Sequence, residues 1–299
     1  MIWTTIIIIL LSAPTFALLF WKHRQLDIEN KQFRKMVSTY ARTPGYSLQQ
    51  KVNELFEQLL LWVVISILFP VIILLSSTGS SKFYSILICA TIVTTSIYFL
   101  NKKIDQVLRL KKGLRGELFV GMELEQNLDE QFTIFHDFQL GDTFTHGSNI
   151  DHLIIGPNSI YIVETKYMRA EVGNKLSLKF DGTHIIHPSG FKTDQHLSQV
   201  SSIITQFKSY LKREQGISHL PVDIRGFLTY PGWEVNITEA MKNRSSYQDE
   251  GILVNKPEGV YRAIKTLANR KPSEWQTSKE RSSLISRLKR ANAIKLTKV

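Results

Sequence analysis

The residues best suited to chemistry are two carboxylates and a lysine, Asp151, Glu164 and Lys166, in the largely apolar stretch NIDHLIIGPNSIYIVETK. Two neighbouring carboxylates among isoleucines repel each other and lose hydration unless a cation neutralises them. A divalent cation would do so, and Lys166 would add a further positive charge. These residue types therefore favour a divalent-cation site with a lysine beside it.

Two strands and a turn must position these side chains. The sequence GPNS at 156–159 is typical of a turn, because proline fixes its own φ and Gly and Asn tolerate φ values that other residues avoid. The β-branched runs on either side predict strands that pair antiparallel. If Ile155 lies opposite Ile160, paired numbers keep a constant sum and Asp151 lies opposite Glu164. Lys166 shares their face because side chains alternate along a strand.

A helix over 113–130 is predicted from one stripe of residues at spacings of three and four. The stripe is Leu114, Glu117, Gly121, Leu124 and Leu128. Glu117 is either a glutamate at the edge of this stripe that reaches water or a third carboxylate delivered to the same ion.

The remaining pattern is that of a soluble α/β domain, with turn and capping signals between apolar runs. A second hairpin turns at Asp181-Gly182, and Asp194 lies near the start of an amphipathic helix. We predict strands at 132–140, 175–180, 183–186, 222–230 and 251–254, a polar loop at 141–147, and helices at 193–214, 259–270 and 278–296.

Three apolar segments predict transmembrane helices at 1–21, 59–77 and 83–100. Seven Lys/Arg lie in 22–58 and six in 101–115, so the positive-inside rule places the N-terminus outside and 22–58 and everything after 100 in the cytoplasm. We expect a multi-pass protein of the inner (plasma) membrane. The alternative is that 59–100 forms a buried core hairpin.

The net charge of +11 is unevenly distributed. Residues 101–261 contain 18 basic and 20 acidic residues, whereas 262–299 contain 11 basic and 2 acidic. The basic tail is a solvated helix face, a nucleic-acid contact or an anionic-lipid contact. Its basic residues include Arg281, Arg287, Lys289, Arg290, Lys295 and Lys298. The single cysteine, Cys89, excludes an intramolecular disulfide and any CxxC metal site.

Histidines offer a weaker alternative for a metal site. His184, His187 and His196 are spaced across a hairpin end and a separate helix, which disfavours zinc. His152 points away from Asp151 by alternation, so packing or hydrogen bonding is expected of it.

The segments GLRGE at 113–117 and NIDHLIIGPNSIYIVETK at 149–166 resemble the nuclease-related domain (NERD), a family of the PD-(D/E)xK phosphodiesterase superfamily. The resemblance implies a restriction-endonuclease-like mixed sheet flanked by helices over 101–235, followed by a C-terminal strand and basic helical extension over 236–299. It implies that Glu117, Asp151 and Glu164 bind Mg²⁺ or Mn²⁺.

The resemblance also assigns roles around the cation. Lys166 would position or deprotonate the attacking water and stabilise the pentacovalent phosphate. Gln195, in the helix after Pro188, resembles the supporting polar residue, with Gln199 one turn later as a rival. The catalytic set is therefore Asp151, Glu164, Lys166 and Gln195.

We therefore expect a membrane-anchored, metal-dependent nuclease that hydrolyses phosphodiester bonds in nucleic acid, with DNA as the expected substrate. The alternative is a catalytically silent binding or regulatory module on a nuclease fold at the membrane, favoured by the nearly neutral core. A structural membrane-assembly factor is a third hypothesis, but it leaves the carboxylates unexplained.

Overall fold

The structure of the chain is a computed structural model. It divides into two compact units, one containing residues 49–111 and the other residues 42–48 and 112–292 of the described chain. The described residues are 42–79, 81–140, 149–168, 176–214, 217, 223–237, 252–269, 275 and 278–292. The predicted span at 1–21 and the predicted loop at 141–147 lie outside them.

Two long helices dominate the first part of the described chain. Helix α1 runs Tyr46–Ser76 and helix α2 runs Ser81–Asn127. Within residues 49–111, Trp62 stacks on Phe99 with ring centroids 5.1 Å apart. Buried Cys89 lies with its Sγ 3.6 Å from the carbonyl oxygen of Pro70 and packs between the two helices.

Both helices are long and apolar enough to cross a membrane. Only 6% of the most apolar window of α1 and 11% of that of α2 are buried, which argues against a buried core hairpin at 59–100. Of the three apolar spans predicted, the described chain thus contains two.

Helix α2 is longer than the sequence pattern predicted. We expected a span at 83–100 and a separate helix over 113–130, but one helix of 47 residues covers the first and continues through the second as far as Asn127. The intervening sequence NKKIDQVLRLKK contains no proline or glycine and is rich in residues of high helix propensity, so nothing in it ends a helix.

The second unit is built on a five-stranded mixed sheet in the order β1-β2-β3-β7-β9. Strands β1, β2 and β3 form an antiparallel meander, and β7 and β9 continue the sheet in parallel with β3. The bounds are β1 Thr133–Gln139, β2 Asn149–Ile155, β3 Ser159–Thr165, β7 Asp223–Thr229 and β9 Leu253–Asn255.

A smaller four-stranded sheet lies in the same unit, in the order β6-β5-β4-β8. Its strands are β4 Ser177–Phe180, β5 Ile185–Ile186, β6 Lys192–Thr193 and β8 Glu234–Ile237. The hairpin predicted about Asp181-Gly182 is confirmed, since Phe180 pairs with Ile185. Strands β6 and β8 were not predicted, because strands of two and four residues are too short to show a clear alternation.

Helices cover both faces of the large sheet, and this explains why all seven residues of β3 are buried. Side chains alternate between the faces. Ile160 and Ile162 pack on helices α3 (Gln195–Glu214) and α5 (Lys279–Asn292), whereas Tyr161 and Val163 pack on the end of α2 and on α4 (Pro257–Asn269). The described part of the second unit is therefore a three-layer α/β structure.

The C-terminal helices hold the central turn in place. Asn158 donates from its side-chain nitrogen to the carbonyl oxygens of Leu267 and Ala268 at the end of α4. Arg281, from α5, donates to the carbonyl oxygen of Gly156 at 3.1 Å. Arg281 of the basic tail thus supports the hairpin. This structural role differs from the three roles considered for the tail, which were a solvated helix face, a nucleic-acid contact and an anionic-lipid contact. Lys295 and Lys298 lie outside the described residues.

Candidate catalytic site

The central hairpin has the predicted register. Ile155 pairs with Ile160 and the antiparallel ladder runs to His152 and Val163, so the same numbering places Asp151 opposite Glu164 as the next pair. Both carboxylates are almost fully buried, at 5% and 2% exposed. They lie on the side of the sheet that α3 covers, because they share the parity of Leu153 and Ile162.

Each carboxylate has one oxygen held by the protein. Asp151 Oδ2 accepts a hydrogen bond from the backbone N–H of Thr165 at 2.8 Å. Glu164 Oε1 accepts two, from Lys166 Nζ at 2.6 Å and from Gln199 Nε2 at 2.8 Å. Among the described residues, no donor reaches the second oxygen of Asp151, and Glu164 Oε2 is buried without a hydrogen-bond partner.

Electrostatics disfavours two ionised carboxylates in this place. Burial, followed by the charges of Glu164 and Glu117, raises the pKa of Asp151 well above its usual value. Burial also raises the pKa of Glu164, and the charge of Lys166 opposes this only in part. The site is therefore short of positive charge as it stands.

Lys166 stays charged in this environment. Burial alone would lower its pKa, but the carboxylates of Glu164, Asp151 and Glu117 together raise it. Its backbone N–H donates to the carbonyl oxygen of Thr229 at 2.9 Å, which extends the β3–β7 ladder by one bond. The lysine is thus fixed at both its backbone and its ammonium group.

Glu117 approaches from the opposite face of the sheet. Helix α2 packs there, and a Cβ built on Gly116 would lie 3.5 Å from Thr165 Cγ2. Glu117 is buried, at 7% exposed, and its charge acts on Asp151 and Lys166. The reading of Glu117 as an edge glutamate that reaches water is therefore excluded.

The described residues contain no group of three His, Cys, Asp or Glu side chains that could hold one metal ion. The ligand set of Glu117, Asp151 and Glu164 stays a prediction, and the pair on the hairpin is what the geometry supports. Mg²⁺ is usually bound by one or two carboxylates, with water and substrate phosphates completing its shell. Two buried carboxylates, each with one oxygen left over, fit that requirement.

Of the two candidate glutamines, Gln199 is the one that contacts Glu164, and the catalytic role of Gln195 stays a prediction. Gln195 is the first residue of α3, and Gln199, one turn later, donates to Glu164 Oε1. Gly226 on β7 allows this approach, since a Cβ there would lie 2.6 Å from Val200 Cγ1. The rotation of α3 about its axis, which decides between the two glutamines, could not be read from sequence.

His152 lies on the face opposite Asp151, as predicted, and makes hydrogen bonds. Its Nδ1 is 2.8 Å from Nδ1 of His136, and His136 Nε2 is 2.8 Å from Glu125 Oε1. Burial lowers the pKa of both histidines, so this is a packed network of two neutral rings.

A hydrogen bond between His196 and Tyr230 lies on the face of the sheet that α3 covers, and it was not predicted from the sequence. His196 Nδ1 is 2.8 Å from the hydroxyl of Tyr230, which is fully buried. The sequence signal was the spacing of three between His196 and Gln199, which places both on one helix face.

Residues 112–231 match the model of the nuclease-related domain (NERD). No curated protein and no solved structure matches the chain. The match covers less than half of the 299 residues, and it contains both carboxylates of the hairpin, Lys166, Glu117 and Gln199. The chain therefore carries a nuclease-related domain at 112–231.

Proposed function

From the nuclease-related domain at 112–231, we propose that this protein is a membrane-anchored, Mg²⁺- or Mn²⁺-dependent nuclease with a restriction-endonuclease-like fold. Its reaction is hydrolysis of phosphodiester bonds in nucleic acid, with DNA as the expected substrate. The observation that carries the proposal is the buried pair Asp151 and Glu164, each with one oxygen left over, next to a charged lysine.

Asp151 and Glu164 would hold the cation, with Glu117 adding negative charge from the other side of the strands. A bound divalent cation supplies a polarised phosphoryl group and a water of lowered pKa. The leftover oxygens are the ones that would face it, because the protein already occupies Asp151 Oδ2 and Glu164 Oε1.

Lys166 and Gln199 act on the reaction through different contacts. Gln199 and Lys166 both donate to Glu164 Oε1 and so fix the direction of its carboxylate. Lys166 also places a permanent positive charge where the phosphate becomes more negative in the transition state. Lys166 is therefore both a positioning and a charge-stabilising residue.

Membrane anchoring rests on α1 and α2, which are apolar and largely exposed. The basic residues at 101–115 and in 22–58 support a cytoplasmic location of the nuclease-related domain by the positive-inside rule. A C-terminal reporter that is active only in the cytoplasm tests this orientation, and an extracytoplasmic reporter signal would reverse it.

The activity is tested with the full-length protein in detergent micelles. Plasmid DNA, single-stranded DNA and RNA are incubated with Mg²⁺, Mn²⁺ or EDTA. We expect cleavage that needs the metal and falls by at least about 10²-fold in Asp151→Asn and in Lys166→Met, since each removes one charge from the reacting centre. Exposed carboxyl and ammonium groups give the matched controls Asp223→Asn and Lys179→Met, which should cleave like wild type.

Cleavage that survives Asp151→Asn would show that the assigned site is not the active site. The second candidate function is a catalytically silent nucleic-acid-binding module, favoured by the absence of a three-ligand metal group among the described residues. Metal-dependent binding of nucleic acid without any cleavage would support that function instead.

A further inference from the structure

We propose that His196 is a further catalytic residue, whose Nε2–H donates a hydrogen bond to a non-bridging oxygen of the scissile phosphate. This inference rests on the proposed nuclease function. It assigns a role to a histidine that the metal pair and Lys166 leave unexplained.

The position of His196 follows from α3. His196 and Gln199 are three residues apart and share one face of the helix. Gln199 donates to Glu164, and Glu164 accepts from Lys166, so this face points at the lysine. The phosphate that Lys166 stabilises must lie within reach of the same face.

Tyr230 orients the imidazole ring. It directly follows Thr229, whose carbonyl oxygen accepts the backbone N–H of Lys166, so the tyrosine is tied to the same strand ends. Its hydroxyl lies 2.8 Å from His196 Nδ1, and the two rings are 5.8 Å apart. Among the described residues, Nδ1 is the one acceptor within hydrogen-bond distance of this buried hydroxyl.

This contact fixes the tautomer of His196. The hydroxyl of Tyr230 donates to Nδ1, because Nδ1 is the one acceptor within its reach among the described residues and because burial raises the pKa of Tyr230, so that the hydroxyl keeps its proton. Burial and then the charge of Lys166 lower the pKa of His196, so the ring is neutral near pH 7. The ring proton therefore lies on Nε2. Within the described chain, no residue hydrogen-bonds to Nε2, and the side chain is only half-buried.

A neutral imidazole with its proton on Nε2 is a suitable hydrogen-bond donor to an anion. Its N–H donates to a phosphoryl oxygen without adding a mobile proton, and this hydrogen bond strengthens as negative charge develops on that oxygen.

Oligonucleotides with one phosphorothioate test this contact. They carry sulfur in place of either non-bridging oxygen of a single linkage. With full-length protein and Mg²⁺, His196→Ala should lower kcat/KM on the unmodified linkage by about 10²-fold. On the isomer whose sulfur replaces the contacted oxygen, the same change should cost much less, because sulfur accepts hydrogen bonds poorly and the contact is already weakened.

Two further variants and a control separate this role from a structural one. His196→Gln keeps a side-chain N–H and should recover part of the activity. Tyr230→Phe keeps the ring but frees the tautomer, so its loss should be intermediate. His184→Ala removes a histidine from the exposed hairpin turn and should cleave both linkages like wild type. Equal losses on all linkages in His196→Ala, or no loss at all, would overturn the assignment.

Binding in Ca²⁺, measured by fluorescence anisotropy, distinguishes failure of this inference from failure of the nuclease proposal. If wild type binds an oligonucleotide in Ca²⁺ but cleaves it in neither Mg²⁺ nor Mn²⁺, and His196→Ala binds it more weakly, the phosphate contact stands and the nuclease proposal falls. If His196→Ala binds as tightly as wild type in that case, the contact is refuted. If wild type neither binds nor cleaves, both proposals fall.

Discussion

The most direct physical test of the site is the change Asp151→Asn in the absence of divalent cations. Asp151 and Glu164 occupy opposed positions on paired strands, which places their Cβ atoms about 5 Å apart. At an effective dielectric constant of about 20, two like charges at that distance repel by about 3 kcal/mol. The contact of Lys166 with Glu164 offsets part of this repulsion, so we expect a net gain of about 1 to 2 kcal/mol.

The asparagine keeps the existing contact, since its amide oxygen can still accept the N–H of Thr165. A gain of 1 to 2 kcal/mol corresponds to about 2 to 8 °C in Tm for a domain of this size. Thermal unfolding of the full-length protein in EDTA at about pH 8 measures this change in Tm. Buried Trp233 and Trp275 serve as fluorescent reporters of the second unit.

The stability difference between Asp151→Asn and wild type depends on pH. The pKa of Asp151 is raised in the folded state above its usual value of 3.8, so protonation of this carboxyl stabilises the folded protein. This stabilisation is complete only below about pH 3.8. It is lost as the pH rises through the folded-state pKa. Asp151→Asn should therefore be more stable than wild type at about pH 8 and nearly equal to it below about pH 4. Mg²⁺ should raise the Tm of wild type and leave that of the variant almost unchanged.

Asp223→Asn serves as the control, because its carboxylate is exposed and should give no such gain. A lower Tm for Asp151→Asn than for wild type in EDTA at about pH 8 would refute the electrostatic reasoning. A gain that is the same at every pH would refute it as well.

Three further changes test the surroundings of the site. Gln199→Ala should lower kcat/KM by about 10-fold, as expected for a residue that orients a metal ligand, whereas Gln195→Ala should leave it unchanged. The opposite result would favour Gln195 as the supporting glutamine. Asp137→Ala leaves three half-buried donors, on Arg42, Ser47 and Asn149, without their acceptor and should lower the free energy of unfolding by about 3 kcal/mol in denaturant titrations. A loss below about 1 kcal/mol would contradict this network. Gly45→Ala should lower the Tm, because Gly45 has φ of +69° and a Cβ there would collide with Leu114; an unchanged Tm would show that the turn can move away.

The hairpin could be predicted from sequence because its determinants are local. A turn signal and the period of two fix both the pairing of Ile155 with Ile160 and the face on which Asp151 and Glu164 lie. The choice of Gln199 depends on how α3 packs against β7, a contact between segments distant in sequence. Periodicity gives the shared face of a helix but not the direction in which that face points.

The length of α2 shows a related limit. Apolar content predicted where a span begins and ends, but the backbone continues as helix until a residue stops it. Likewise, the support that Arg281 and Asn158 give to the turn arises from helices that follow the matched domain in sequence. Such support connects residues more than a hundred positions apart, and no local pattern encodes it.

The geometry also distinguishes between the two roles that the family resemblance gave to Lys166. A lysine that deprotonates water must itself be neutral, but three surrounding carboxylates raise the pKa of Lys166 and keep it charged. Its ammonium group is already bonded to Glu164 Oε1. In the proposed reaction Lys166 therefore orients Glu164 and stabilises negative charge, and the proton of the attacking water must leave by another route. Burial and then the charge of Lys166 lower the pKa of His196, so the same lysine that bonds to Glu164 also favours the neutral form of this ring.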